Sequence, residues 1–283
     1  MLKYVLSLSL SLSVGVVALT AASPAIAHVS KTGTRQESGM AMTGPDIAAI
    51  TSVNPSGFKS YPASTLPRGH TDTVAHWICN TEAVSTPGDD PTSTGPGGIF
   101  ITNADVAPRG FYFYHNMCDH VPYKYIWVGG GGETRFVALP PLFQGRVTRG
   151  LDAWNLQGNP QLLATWFEFS LDDSGWIWGD VSLIRGCDGG ALFWATDGSS
   201  AWKGFDQPAL LEGAPPAAYA PKDSGVLVLD ESTDWDGTIN AVVRDWEYKI
   251  LGPDNAYVDD LHGNPVITST NGRFGSYWPA GRP

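Results

Sequence analysis

Two acidic residues with the potential for chemistry lie near the middle of the chain, on segments that are otherwise rich in aromatic residues. The stretch 165–190 reads TWFEFSLDDSGWIWGDVSLIRGCDGG and contains Glu168 and Asp180. Paired carboxyl groups can hydrolyse a glycosidic bond, because one protonates the leaving oxygen while the other attacks the sugar or activates water. Glu168 and Asp180 are therefore the candidate catalytic residues.

The pattern of apolar and polar residues predicts that these two acids face each other across a β-hairpin. Both flanking segments alternate with a period of two, which is typical of half-buried strands, and the DDSG between them is rich in turn formers. If Leu171 opposes Ile177 across this loop, Glu168 lies directly opposite Asp180. Opposed Cβ atoms are about 4.5–5.5 Å apart, so two negative charges there need a cation, a shared proton or a ligand.

Three tryptophans share the face of the two acids in this register, namely Trp166, Trp176 and Trp178. Acids beside aromatic rings that could stack on sugars are typical of a carbohydrate groove, so these tryptophans are candidate substrate-binding residues. The alternative is a structural role, in which another layer buries the tryptophans and an arginine such as Arg149 or Arg185 neutralises the acids.

The start of the chain has the features of a secretory signal peptide over residues 1–27, with Lys3, an apolar run and the small-residue sequence PAIA. No later segment is apolar over the roughly 20 residues that a membrane span needs. We therefore expect a secreted, extracellular protein without membrane association. The formal net charge of −11 also argues against a nucleic-acid partner, because phosphate binding requires basic surface.

The composition favours an all-β protein with long loops. Charged residues make up only 16% of the chain, whereas 33 glycines and 21 prolines provide many turns. Short alternating segments follow one another after Gly98, and helical periodicity is nearly absent. We predict a low-complexity arm or linker over residues 28–66 and a single, monomeric β-sandwich domain with long loops over residues 67–283.

The cysteines and histidines predict neither a metal nor a cofactor. Cys79, Cys118 and Cys187 allow one disulfide and one free thiol, and the sequence does not decide which two pair. None has the spacing of a zinc site. An alternative is copper binding by His28, which signal cleavage after Ala27 would make the first residue, as in secreted copper oxygenases that act on polysaccharides.

Three segments of the chain resemble the thaumatin-like proteins. LLATWFEFSLDDSGWIWGDVSLIRG is similar to the family segment in which a strand of the form AEFTL precedes one of the form YDVSLVDG. FYFYHNMCDHVPYKYIWVG resembles an early strand of the family, especially as it appears in small fungal secreted members. LPPLFQGRVTRG resembles the family's proline, followed by Gly-Arg and a second arginine. The resemblance extends from Gly98 to Gly190, about a third of the chain.

The resemblance implies a thaumatin-like β-sandwich with an acidic cleft built from one arginine, one glutamate and several aspartates. Glu168 matches the glutamate, Asp180 the first aspartate, and Arg149, or alternatively Arg146, the arginine. The segment GPDNAYVDD is similar to the PDAY segment of the family, which implies that Asp254 also reaches the cleft. Arg149 and Asp254 therefore join the tryptophans as candidate substrate-binding residues.

The chain departs from the family at two points. Arg185 occupies the position where the resemblance leads us to expect a further aspartate, and the many disulfides of the plant members are absent. Because family members bind β-1,3-glucans and some hydrolyse them weakly, the resemblance implies a protein that binds cell-wall β-glucan, with a weak endo-glucanase activity. The alternative is a non-enzymatic secreted effector or surface protein that binds another protein through an acidic face.

Overall fold

Most of the regular structure is β-strand, as seen in a computed structural model that describes residues 79–91, 96–116, 118–160 and 163–283. The described residues all belong to one compact unit. The predicted signal peptide, the arm over residues 28–66, the domain boundary after residue 66 and His28 lie outside the described residues.

The larger sheet contains seven strands. These are β1 (Val84–Ser85), β3 (Arg109–His115), β4 (Lys124–Val128), β6 (Gln144–Gly150), β7 (Trp166–Leu171), β8 (Ile177–Ser182) and β13 (Ile267–Ser269). Their spatial order is β1-β4-β3-β6-β7-β8-β13, and only the short β1 pairs in parallel with its neighbour. The strands β6, β7 and β8 that carry the candidate residues therefore lie inside the sheet rather than at an edge.

A second sheet contains five strands, and a small one contains two. The five are β2 (Gly98–Asn103), β5 (Glu133–Ala138), β9 (Ala191–Ala195), β10 (Trp202–Phe205) and β14 (Arg273–Trp278), in the order β10-β9-β14-β2-β5. The two are β11 (Tyr219–Pro221) and β12 (Leu227–Leu229). Since β14 and β2 are parallel while the other pairs of the five-stranded sheet are antiparallel, this sheet is mixed.

Helices are few among the described residues. They are α1 (Asp152–Asn155), α2 (Ala209–Glu212), α3 (Ala241–Leu251) and a 3-10 turn (Pro216–Ala218). The longest of these is α3, which buries Val243 and Leu251. In the described part of the chain, no helix is long and apolar enough to cross a membrane. The prediction of an all-β protein is confirmed at the level of strand content.

One hydrophobic core receives side chains from both large sheets. Phe113 of β3, Val147 of β6 and Phe167 of β7 lie in the same buried cluster as Phe193 of β9 and Phe274 of β14. The rings of Phe167 and Phe193 have centroids 4.6 Å apart, so the two sheets are in direct contact there. We call this side of the seven-stranded sheet its inner face, and the opposite side its outer face.

The predicted hairpin register is confirmed. β7 and β8 are antiparallel, with Leu171 opposite Ile177 and Glu168 opposite Asp180. The turn is stabilised locally by Asp172. Its Oδ1 accepts hydrogen bonds from the backbone N–H groups of Ser174 at 2.9 Å and of Trp176 at 3.0 Å. The period-two alternation fixed the register because its apolar half is buried in the core.

A disulfide joins Cys79 to Cys118, which decides between the pairings that the sequence left open. Cys187 remains a buried thiol. The bridge connects the first described residues to the loop that follows β3, at a sequence separation of 39 residues.

Candidate functional site

A row of four polar side chains crosses the outer face of the seven-stranded sheet. Tyr114 lies opposite Arg146, Arg146 opposite Glu168, and Glu168 opposite Asp180. Directly opposed residues point to the same side of a sheet, so all four side chains share one face. The structure therefore brings the two predicted catalytic carboxylates side by side, with an arginine next to the glutamate.

The carboxylate pair is half-buried, so its surroundings are poorer in water than an open surface but are not sealed. A hydrogen bond from Ser182 reaches Glu168. Asp180 Oδ1 is buried and has no hydrogen-bond partner among the described residues. A buried oxygen atom without a partner is costly, because folding removes the water that would otherwise bind it.

Arg146 is the cation of this row. Its side chain is almost fully buried, and one terminal nitrogen lies 2.6 Å from Asp119 Oδ1. Its guanidinium group lies 3.8 Å from the ring centroid of Trp166 and 4.8 Å from that of Tyr114, which are cation-π distances. These contacts fix the planar group in place, so its charge acts on Glu168 from a defined position.

The two carboxyl groups differ in their acidity. Burial raises the pKa of Glu168, and the charge of Arg146 and the hydrogen bond from Ser182 partly offset that effect. Burial raises the pKa of Asp180 well above its usual range, and the negative charge of Glu168 raises it further. As pH rises, Glu168 therefore loses its proton first, and Asp180 holds its proton longer.

The segment after α3 contributes two further groups beside the pair. Tyr257 joins the end of β8, because its N–H donates to Val181 O and its carbonyl accepts from Leu183 N, both at 2.7 Å. Burial, followed by the charges of Asp180, Asp260 and Glu168, raises the pKa of the Tyr257 hydroxyl, which places this hydroxyl near the carboxylates. Asp260 is exposed, and its charge raises the pKa of Glu168.

Asp254 stands apart from this arrangement. It is exposed, and its carbonyl oxygen accepts a hydrogen bond from Lys203 of β10 in the five-stranded sheet. Asp260, six residues later, is the acid of this segment whose charge reaches Glu168. The segment similar to PDAY does approach the carboxylate pair, and backbone pairing of Tyr257 with β8 determines which of its acids comes close. We replace Asp254 by Asp260 in the candidate site.

Arg149 lies on the inner face rather than beside the acids. It is opposite Phe111 in the register and is 1% exposed. Its guanidinium donates to Pro279 O at 2.6 Å and lies 3.4 Å from Asp188. Successive residues of a strand alternate between faces, so residues three positions apart point to opposite sides. The alternative, Arg146, is therefore the arginine of the row.

Arg185, which the sequence suggested as a neutralising group, acts only weakly on the pair. Its guanidinium lies 3.2 Å from Glu231 and 3.6 Å from the ring centroid of Trp235. Its charge lowers the pKa of Glu168, but burial and Arg146 have larger effects. Because Arg185 is bound to Glu231, the negative charge of the pair remains only partly compensated.

The three tryptophans have different environments. Trp166 is 9% exposed and packs against Arg146, so its ring supports the arginine. Trp178 is half-buried, and its Nε1 donates to Asp172 at 3.0 Å. Trp176 is 41% exposed. Only Trp176 and Trp178 retain surface that a ligand could contact, whereas the sequence treated all three alike.

Comparison with models of protein families and with curated proteins gives no match. No model of a protein family matches the chain. Among curated proteins, none is significantly similar to it in sequence. In the regions that the structure describes, no group of three or more His, Cys, Asp or Glu side chains is arranged to hold a metal ion.

Proposed function

We propose that this chain is a secreted carbohydrate-binding protein of thaumatin-like type that binds cell-wall β-glucan through Glu168 and Asp180. The observation that carries the proposal is the carboxylate pair itself. Two half-buried acids lie directly opposite each other in the middle of a sheet, and Asp180 Oδ1 has no partner within the described structure. Such an arrangement is unfavourable for folding alone and favours a ligand that donates hydrogen bonds.

The chemistry of the surrounding groups supports a neutral sugar as that ligand. Sugar hydroxyl groups can donate to Asp180 Oδ1 and to Glu168. Trp176 and Trp178 offer aromatic surface, and the phenol of Tyr257 adds a further polar contact. A phosphate or another anion would be repelled by the two acids and by Asp260.

Slow hydrolysis of the bound glucan is the reaction that the pair supports. Asp180 would be the general acid, because it holds its proton longer, and Glu168 would be the nucleophile or base, because Arg146 and Ser182 stabilise its ionised form. Directly opposed residues favour the short separation of about 5–5.5 Å that retaining enzymes use. The sugar would lie along the sheet, since the two side chains stand side by side.

Three features support the thaumatin-like β-sandwich and secretion. The contact between the two large sheets through Phe167 and Phe193 is the packing that a sandwich requires. The order arginine, glutamate, aspartate in the row Arg146, Glu168, Asp180 agrees with the cleft that the resemblance implies. The disulfide between Cys79 and Cys118 suits an oxidising compartment such as the cell exterior.

The proposal is tested by binding and hydrolysis assays on laminarin, a soluble β-1,3-glucan. We expect Glu168→Gln and Asp180→Asn to weaken binding about 10-fold or more, because the first removes a charge-assisted hydrogen bond to the sugar and the second replaces the carboxyl group that binds it. Asp173→Asn is the matched control, since Asp173 is an exposed acid of the same hairpin. Release of reducing sugar by the wild type alone would establish hydrolysis.

Absence of laminarin binding by the correctly folded wild type would contradict the proposal. Equal affinities of the wild type, Asp180→Asn and Asp173→Asn would show that glucan binds elsewhere on the surface. Either result would favour the alternative function as an effector that binds another protein through its acidic face.

A further inference from the structure

A cavity of about 320 Å³ lies at the end of β6, next to the row of polar residues. One wall comes from β6 and the residues after it, and the opposite wall comes from the segments around β11 and β12. The lining residues are Thr148, Arg149, Asn155, Pro160, Leu163, Ala164, Ala220, Pro221, Lys222, Asp223, Asp230 and Glu231. Its volume is at the lower end of the range for small-molecule sites.

The cavity reaches the face of the carboxylate pair at Thr148, whereas Arg149 lines it from the inner face of the same sheet. Thr148 follows Arg146 by two positions in β6, and residues two apart in a strand lie on one face about 7 Å from each other. A second connection runs through Arg185, which binds the cavity residue Glu231 and whose charge acts on Glu168. The cavity is therefore a neighbour of the candidate site.

Thr148 provides a polar atom that lacks a partner. The residue is fully buried, and its Oγ1 makes no hydrogen bond to any described residue. The neighbouring Asn155 is held in place by two hydrogen bonds, because its Oδ1 accepts from Leu151 N at 2.9 Å and its Nδ2 donates to the Tyr114 hydroxyl at 3.1 Å. The Thr148 hydroxyl group is therefore an unpaired polar group of the lining that a ligand in the cavity could bind.

The charges around the cavity nearly cancel. Asp188 lies between two cations, 2.9 Å from Lys222 Nζ and 3.4 Å from Arg149. Glu231 is bound to Arg185, which leaves Asp223 and Asp230 as the acids of the lining without an ion pair among the described residues. This mixture favours a neutral ligand with many hydroxyl groups over a phosphate or a carboxylate. Proline, leucine and alanine side chains complete the lining and suit the apolar face of a sugar ring.

We propose that this cavity is a second sugar-binding subsite, which takes the glycosyl residue next to the one held at Glu168 and Asp180. The Thr148 hydroxyl group makes the hydrogen bond that orients this residue. The inference rests on the proposed function, since it extends the same groove from the carboxylate pair toward the end of β6. A glucan chain then requires at least two units to occupy both places.

The test measures the affinity of the full chain for β-1,3-linked glucose oligosaccharides of one to five units by isothermal titration calorimetry. For the wild type we expect affinity to rise steeply when the chain becomes long enough to reach the cavity. Thr148→Val keeps the shape of the side chain but removes the hydroxyl, so we expect about 5- to 10-fold weaker binding of the longer oligosaccharides only. Thr81→Val is the matched control, because Thr81 is exposed.

A second variant tests the same subsite independently, in case Thr148→Val does not fold. Ala220→Phe places a ring into the cavity from the half-buried β11, and it should also remove the gain in affinity with chain length. If both folded variants keep the wild-type dependence on chain length while Glu168→Gln weakens every oligosaccharide, the subsite is refuted and the proposed function survives. If no oligosaccharide binds the wild type, both proposals are refuted.

Discussion

Glu247 is expected to make the stability of this protein fall as pH rises. It lies in α3 and is fully buried, and neither carboxyl oxygen has a hydrogen-bond partner among the described residues. Burial raises its pKa well above the ordinary value of 4.5. The folded protein therefore holds a proton at a pH where the unfolded chain has released it. The contribution of Glu247 to stability is therefore greatest below pH 4.5 and decreases as pH rises toward the pKa of the folded state.

The magnitude follows from proton linkage. While the folded state binds one proton more than the unfolded state, the free energy of unfolding decreases by about 1.4 kcal/mol per pH unit. Because Glu168 and Asp180 also have raised pKa values, the wild type contains several contributions of the same sign. The contribution of Glu247 is thus the difference between the pH slopes of the unfolding free energy of the wild type and of Glu247→Gln. The amide of the variant has nearly the same shape and does not ionise.

The assay is urea denaturation of both proteins at intervals between pH 5 and pH 7.5. We expect the wild type to lose up to about 1.4 kcal/mol per pH unit more than Glu247→Gln, so that the variant becomes the more stable protein toward neutral pH. Glu212→Gln is the control, since Glu212 is exposed in α2 and should leave the slope unchanged. Equal slopes for the wild type and Glu247→Gln would refute the reasoning and would mean that Glu247 is hydrated or ionised in the folded state.

Three further predictions concern the row, the disulfide and the core. Arg146→Gln should raise the pKa of Glu168, because it removes the cation that lowers it; carboxyl ¹³C NMR measures this, and an unchanged pKa would contradict the assigned role of Arg146. Cys79→Ser should lower the unfolding free energy by about 2–4 kcal/mol, since the bridge to Cys118 closes a long loop; unchanged urea unfolding would show that the bridge contributes little. Phe167→Ala should lower the unfolding free energy by about 3–5 kcal/mol, because its ring is fully buried between the sheets. A smaller loss would indicate that the core collapses into the space left by the ring.

The part of the fold that local patterns could predict is the central hairpin. Alternation in β7 and β8, together with the turn formers around Asp172, determined both strands and their register. The same information was sufficient to decide between the arginines, because Arg146, unlike Arg149, falls on the face of Glu168 once β6 is paired in the register that buries Val147. The resemblance to a known family favoured Arg149. The alternation of residues between the two faces of β6 places Arg149 on the inner face and Arg146 beside the acids.

Groups that reach the site through long-range packing could not be predicted from local patterns. Tyr257 and Asp260 come close to the carboxylate pair only because their segment pairs with the end of β8, more than seventy positions earlier in the chain. The contact of Trp166 with Arg146 likewise depends on the pairing of β6 with β7. The cavity beside Thr148 arises from the approach of β11 and β12, for which the sequence carries no local signal.

The central claim is that a β-glucan contacts the Glu168 and Asp180 carboxyl groups. Carboxyl ¹³C NMR during titration with a β-1,3-linked glucose pentasaccharide tests it most directly, since each acid reports on its own surroundings. We predict that the signals of Glu168 and Asp180 shift and saturate at the same ligand concentration, while the signal of the exposed Asp173 stays in place. Saturable binding that leaves Glu168 and Asp180 unshifted would contradict the claim.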